Sequence, residues 1–192
     1  MKVAGCILAG GRSSRFGSDK ALVMWRGRTL LDNAIERLRP QVHAIVINTN
    51  SKAPEYKALG VAVAPDQSDS FEGPMAGVLA GLEWAGRNGA SHLATVAVDT
   101  PFFPADLVAV FLERAGKTII AAESAAGLHP TFALWPISAG PVLDSWLASG
   151  QSRKMTDFLK SQGFETAMFA NDGGLDPFFN INTPDDLAAL PK

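Results

Sequence analysis

Between residues 3 and 122, short apolar runs alternate with segments of helical periodicity, and no other feature limits the fold of this chain so tightly. The runs at 3–8, 44–47, 61–64, 93–98 and 118–122 are brief, almost free of charge and partly β-branched, as strands buried on both faces are. The segments between them carry helix signals. Thr29 stands at an N-cap position with Asp32 three residues on, and Leu30, Leu31, Ala34, Ile35 and Leu38 recur at helical spacing until Pro40. Gly73-Pro74 opens a second pattern over 75–85, which Asn88-Gly89 stops, and shorter helices are expected near 54–59 and over 104–115. Strands separated by helices require right-handed crossovers and give a mostly parallel sheet. The expected class is α/β: a three-layer α/β/α arrangement around a mostly parallel, Rossmann-like sheet.

Past residue 122 the alternation weakens. A strand is expected at 131–135 after Leu128-His129-Pro130, helices at 141–147 and 155–159, a strand at 165–169, and a last helix opened by Thr183-Pro184. No linker, repeat or low-complexity tract interrupts the sequence, so 1–192 is expected to form a single domain.

Sheets of this kind bind ligands beyond the carboxyl ends of their strands. That rule selects the loop from Ala9 to Lys20 together with Asn48, Asp66 and Asp99. In the loop, Gly10, Gly11 and Gly17 let backbone N–H groups close on an anion, while Arg12, Arg15 and Lys20 supply the charge that phosphate oxygens attract. A solvated basic turn is the simpler alternative. Three familiar glycine motifs do not fit. Gly17 is followed by Ser18-Asp19 rather than by the lysine of a Walker loop, and Gly10-Gly11-Arg12 breaks the dinucleotide fingerprint. Arg12-Ser13-Ser14-Arg15 lacks the glycines of a nucleophile elbow.

A net charge of −2 argues against sequence-independent nucleic-acid binding, which draws on a basic excess. No apolar run approaches the length of a membrane span, so neither nucleic acid nor membrane is an expected partner, and a cytoplasmic location is the expectation. The single cysteine, Cys6, lies inside the first apolar run and reads as a small buried hydrophobe. Three scattered histidines give no zinc pattern.

Four further positions have chemistry to offer. Asp99, at the end of a buried strand, suits Mg²⁺, which takes one or two protein carboxylates plus phosphate oxygens; capping the following helix is the alternative. Asn180 and Asn182 would share a face if the segment is extended, ready to meet a metal or phosphate or simply to close the fold. Asp66 serves either a base or ribose or the start of a turn. His129 before Pro130 reads either as a contact to an acidic substrate or as a structural histidine.

Taken together, LAGGRSSRFG-S-DKAL, VINTN, P-D with G-P-M-A-G, V-D-T-P-F, H-P-T-F and F-N-I-N-T-P-D-D-L resemble the molybdenum cofactor guanylyltransferase family, from Ile7 to Leu187 and in the family's order. The resemblance implies a nucleotidyltransferase sheet that moves GMP from GTP to molybdopterin-type molybdenum cofactor with Mg²⁺ and releases pyrophosphate. It assigns Leu8, Ala9 and Gly10 to guanine and ribose, Gly11, Arg12, Arg15 and Lys20 to the phosphates, Asn48 and Asp66 to GTP, and Asp99 to the metal. Asn180 and Asn182 fall at the metal and cofactor end, and His129, Arg153 and Lys154 in segments resembling the pterin side. The N-terminal part would then bind nucleotide and the C-terminal part pterin. An oxygen-sensitive product is better handed over than released, so transient contact with cofactor-insertion or acceptor proteins is also expected. Phe16 replaces a commoner methionine, and Ser18-Asp19 is a short spacing before Lys20; neither removes a charge or ligand. A cytidylyltransferase for the same pterin and a non-catalytic nucleotide-binding module remain the alternatives, since nothing physical in these residues selects guanine over cytosine.

Overall fold

The computed structural model describes residues 1–10, 19–66, 73–171, 174–188 and 190. The chain opens with β1 (Val3–Leu8), the small hairpin β2 (Met24–Trp25) and β3 (Arg28–Thr29), and α1 (Leu30–Leu38). It continues through β4 (Ala44–Asn48), α2 (Pro54–Ala58), β5 (Ala62–Ala64), α3 (Pro74–Arg87) and β6 (His92–Ala97). Then come α4 (Leu107–Leu112), β7 (Ile119–Ser124), β8 (Gly127–Pro136), α5 (Ala139–Ala148), α6 (Met155–Gln162), β9 (Phe164–Met168) and α7 (Pro184–Ala188). Among the described residues seven strands form one sheet in the order β5-β4-β1-β6-β8-β7-β9. Only β8 runs against its neighbours; the other pairings are parallel.

Strand alternation divides the core into two layers. Val3 and Ile7 of β1 and Ile45 and Ile47 of β4 meet α1 and α4 through Leu31, Ile35, Leu107 and Phe111. Ala4, Cys6 and Leu8 point the other way, onto α3, α5 and α6 through Val78, Leu82, Leu143 and Phe158. Helices thus cover both faces of the sheet, the three layers expected from the alternation. Burial also pushes the Cys6 thiol up to about 12, so this side chain packs and does not react.

Local signals account for several boundaries. The Thr29 hydroxyl accepts the Asp32 N–H at 3.0 Å and the Asp32 carboxylate accepts the Thr29 N–H at 3.1 Å, a reciprocal capping box. Other boundaries depend on distant contacts. α4 is shorter than its sequence pattern, and at its start the Gln41 side-chain oxygen rather than a local cap accepts the Val108 N–H at 3.0 Å. β8 begins at Gly127, earlier than expected. Pro130 is tolerated there because the ladder with β7 slips between Ala121, paired with Ala133, and Ala122, paired with His129, so Pro130 lies in the irregularity.

The topology places the functional end. From β1 the chain moves outward to β4 and β5 over one face, then returns through α3 over the other face to β6, on the opposite side of β1. The connection reverses direction between β1 and β6, whose last residues, Leu8 and Ala97, pair in register. A crevice outside the carboxyl ends of two such strands is where this architecture binds ligands. No helix among the described residues is long and apolar enough to cross a membrane.

Candidate active site

Two polar clusters flank the switch point. The first is built on Asn48, the last residue of β4, paired in register with Leu8 on one side and Ala64 on the other. Its side chain is only 3% exposed, and its amide donates to the Ala64 carbonyl at 3.1 Å and to Asp66 Oδ1 at 2.8 Å. Asn50 completes the arrangement: its amide donates to Asp66 Oδ2 at 2.9 Å and its carbonyl accepts the Asp66 N–H at 2.9 Å. Asp66 therefore does more than start a turn, because both carboxylate oxygens are oriented by amide donors. Gly77, in the first turn of α3, leaves room for this cluster: a Cβ there would lie 2.1 Å from Asn48 Oδ1. The Leu8 side chain is buried, its carbonyl accepts from Val98 at 3.2 Å, and the Ala9 N–H donates to the Asn48 carbonyl at 2.9 Å. This segment ties the sheet together and delivers an exposed Gly10 beside the cluster.

The second cluster gathers residues from three parts of the chain. Lys20 Nζ lies 2.8 Å from Asp99 Oδ2 and 3.0 Å from Asn182 Oδ1. Asp99 does not cap the helix that follows it, since α4 opens at Asp106 without a side-chain cap. Instead its backbone carbonyl accepts the Ile181 N–H at 2.8 Å, which draws the C-terminal segment into the site. Asn180 and Asn182 stand exposed on either side of the buried Ile181, though in a loop rather than a strand. The Thr100 hydroxyl donates to the Asn180 side-chain oxygen. Asp186 fixes the next residues by accepting the Asn182 and Thr183 N–H groups, each at 2.8 Å, and those bonds hold its carboxyl below the usual range. The oxygens that converge here, a carboxylate, two amides and a hydroxyl, are hard donors suited to a divalent cation such as Mg²⁺.

His129 belongs to a third group. Its Nε2 lies 2.8 Å from the Ser124 hydroxyl, which donates to Asp176 Oδ2 at 2.6 Å, and its ring stacks on Phe178 with centroids 4.4 Å apart. Ser, His and Asp are the residue types of a hydrolytic triad, but here the serine proton goes to the aspartate, so the hydroxyl is not activated as a nucleophile. Burial lowers the His129 pKa, with nearby Asp176 opposing the shift. Arg153 and Lys154 lie elsewhere, exposed in the turn between α5 and α6. Gly11, Arg12 and Arg15 lie outside the described residues.

Known proteins share this fold. The family model described as the MobA-like NTP transferase domain matches residues 5–166. The chain belongs to the MobA-like NTP transferase family. A molybdenum cofactor guanylyltransferase from Rhizobium meliloti (strain 1021) is 44% identical over 189 residues, covering 94% of this chain and 87% of that protein. One from Rhizobium leguminosarum bv. trifolii (strain WSM2304) is 42% identical over all of this chain and 92% of its own. Among solved structures, molybdopterin-guanine dinucleotide biosynthesis protein A from Archaeoglobus fulgidus superposes with a TM-score of 0.75 at 26% identity, covering 98% of this chain and 95% of that one.

Within this MobA-like frame the structure joins Asn48 to Asp66 and Lys20 to Asp99 and Asn182, all singled out from the sequence. It adds four residues that the sequence reading did not assign: Asn50, Thr100, Gly77 and Asp176. Asn50 and Thr100 lie two and three residues past the ends of β4 and β6, where the carboxyl-end rule was already pointing. Gly77 and Asp176 carried no local signal, because a glycine within a helix and an aspartate in a loop have many uses.

Proposed function

We propose that this chain transfers GMP from GTP to the terminal phosphate of molybdopterin-type molybdenum cofactor, forming the guanine dinucleotide cofactor and pyrophosphate. The observation that carries this reading is the convergence of Lys20, Asp99 and Asn182 at the switch point of a MobA-like sheet. Relatives named as guanylyltransferases at 44% and 42% identity support the choice of nucleotide and acceptor.

An acceptor phosphate oxygen attacks the α-phosphorus of GTP, and the bond from that phosphorus to the bridging oxygen breaks, releasing pyrophosphate. The nucleophile is already ionised near neutral pH, so the chain has no proton to remove. Its work is positioning and charge neutralisation. Asp99, with the amide oxygens of Asn182 and Asn180, would hold Mg²⁺, which when bound screens the charge on phosphate oxygens. Lys20, with Arg15 from the loop, stabilises the charge that develops on the departing pyrophosphate. The Asn48–Asn50–Asp66 cluster, next to Gly10, offers fixed acceptors to the N–H and O–H donors of guanine or ribose; Leu8, Ala9, Gly11 and Arg12 frame the same nucleotide. His129, Arg153 and Lys154 serve the pterin side, so the C-terminal part binds the acceptor, and transient contact with acceptor proteins completes delivery.

Incubating the protein with Mg²⁺, molybdopterin and each labelled nucleoside triphosphate tests this. GTP alone should yield pyrophosphate and a labelled pterin dinucleotide. Preferential turnover of CTP would replace guanine by cytosine, and no transfer from any nucleotide would overturn the activity.

A further inference from the structure

The Lys20 ammonium occupies the place where a metal ion would draw its ligands. It contacts Asp99 Oδ2 at 2.8 Å and Asn182 Oδ1 at 3.0 Å, two of the oxygens assigned above to Mg²⁺. An ammonium against Asp99 Oδ2 opposes a divalent ion at that carboxylate, because like charges a few ångströms apart repel strongly wherever water is partly excluded. Here it is partly excluded: the two side chains are 16% and 24% exposed.

The site also lacks the means to outcompete the lysine alone. Among the described residues no group of three or more acidic, histidine or cysteine side chains is assembled to hold a metal. One carboxylate with neutral amides is a weak magnesium ligand set until phosphate oxygens join it. The backbone turn that carries Lys20 is held by contacts separate from those of its ammonium head. Asp19 accepts the Ala21 N–H at 3.1 Å and is itself held by the Tyr56 hydroxyl at 2.8 Å, whereas the ammonium rides on a flexible four-carbon stem. It can leave Asp99 for a stronger anion without disturbing the turn that carries it.

We infer that Lys20 is an internal cation that keeps the divalent ion off Asp99 until a nucleoside triphosphate arrives. The triphosphate draws the ammonium to its own oxygens, frees the carboxylate and completes the ligand set of the metal in one event. Metal and nucleotide then bind with positive coupling, each raising the affinity for the other by the same factor. The inference rests on the assignment of Asp99 as a metal ligand, and the experiment separates the two.

Mn²⁺ is the probe, its protein-bound fraction followed by water-proton relaxation on the full chain, with and without a non-hydrolysable GTP analogue and after subtraction of the binary manganese–analogue signal. Wild-type protein should bind Mn²⁺ poorly alone and much better with the analogue. Lys20→Met keeps the length of the side chain and removes its charge; without nucleotide it should bind Mn²⁺ roughly tenfold or more tightly than wild type, as expected when a unit charge is removed from contact with the ligands. Lys20→Arg, which keeps the charge, should stay weak, and Lys20→Gln serves in place of Lys20→Met if thermal melting shows that variant unfolded. Mn²⁺ affinity of the uncharged variant no higher than wild type would overturn the inference. If the gain survives in Lys20→Met/Asp99→Asn, or if Asp99→Asn alone leaves analogue-dependent binding intact, the assignment of Asp99 fails instead, and the inference with it.

Discussion

Gly77→Ala is the sharpest test of how the nucleotide side of the site is assembled. A methyl group there would stand 2.1 Å from Asn48 Oδ1, 2.7 Å from Asn48 Cγ and 3.0 Å from Leu8 Cδ2. Ordinary carbon–oxygen contact begins more than about 1 Å farther out, so the Asn48 side chain must move. With 3% exposure and two hydrogen bonds, to Ala64 at 3.1 Å and Asp66 at 2.8 Å, it has no slack. A neutral hydrogen bond contributes about 0.5–1.5 kcal/mol, one to a charged group about 1.5–3, and overpacking adds its own strain of about 1–3. Together these come to a loss of about 3–7.5 kcal/mol, which corresponds to a melting temperature lower by roughly 6–30 °C for a chain of this size. GTP affinity should fall as well, because the displaced Asn48 no longer orients Asp66. Thermal denaturation by circular dichroism and calorimetric titration with GTP measure the two effects. The refuting measurement is a double-mutant cycle. In an Asn48→Ala background the two closest atoms are gone and only the tight contact with Leu8 Cδ2 remains, so Gly77→Ala should cost less than half as much. An equal cost in both backgrounds would show that something other than Asn48 requires the glycine.

Three other expectations can be checked in parallel. Asp99→Asn should reduce GMP transfer about 10²–10³-fold while leaving the melting curve near wild type, since its carboxylate faces the Lys20 ammonium and caps no helix; near-normal turnover in magnesium buffer would remove Asp99 from the chemistry. Thr29→Ala should lower stability by about 0.5–2 kcal/mol through loss of the capping box, with kcat and KM for GTP unchanged, as read by denaturant titration and steady-state kinetics. Because the folded protein holds the His129 pKa below its ordinary value, the unfolded chain takes up a proton first as pH falls through the ordinary histidine range. Stability should therefore be full above that range and decline below it. His129→Gln should flatten this decline in denaturant titrations between pH 7 and 5, and an unchanged slope would mean that other groups carry it.

Local chemistry explains what was legible in the sequence. Burial on two faces wrote β1, β4 and β6 as apolar runs, and Thr29 with Asp32 marked the start of α1 because a cap acts over three residues. Once strands and helices alternated, the carboxyl-end rule selected Asn48, Asp66 and Asp99, and the structure sets Asn48 at the end of β4 and Asp66 and Asp99 two residues past the ends of β5 and β6. The early start of β8 was hidden, because Pro130 argues against a strand unless the partner ladder slips beside it. The late start of α4 was hidden, since one of its first N–H groups, that of Val108, finds its partner in Gln41, 67 residues away.

Sequence alone thus determined the class of fold, the strand ends that gather at the switch point and the residue types found there. It could not state which of them touch. Lys20 and Asn182 are 162 positions apart and meet only because Ile181 bonds to the backbone of Asp99 and Asp186 holds the turn beyond it. Nothing in either residue's neighbourhood along the chain encodes that meeting. Strand order and loop closure decide it, and with it the cation that Asp99 faces before any nucleotide is bound.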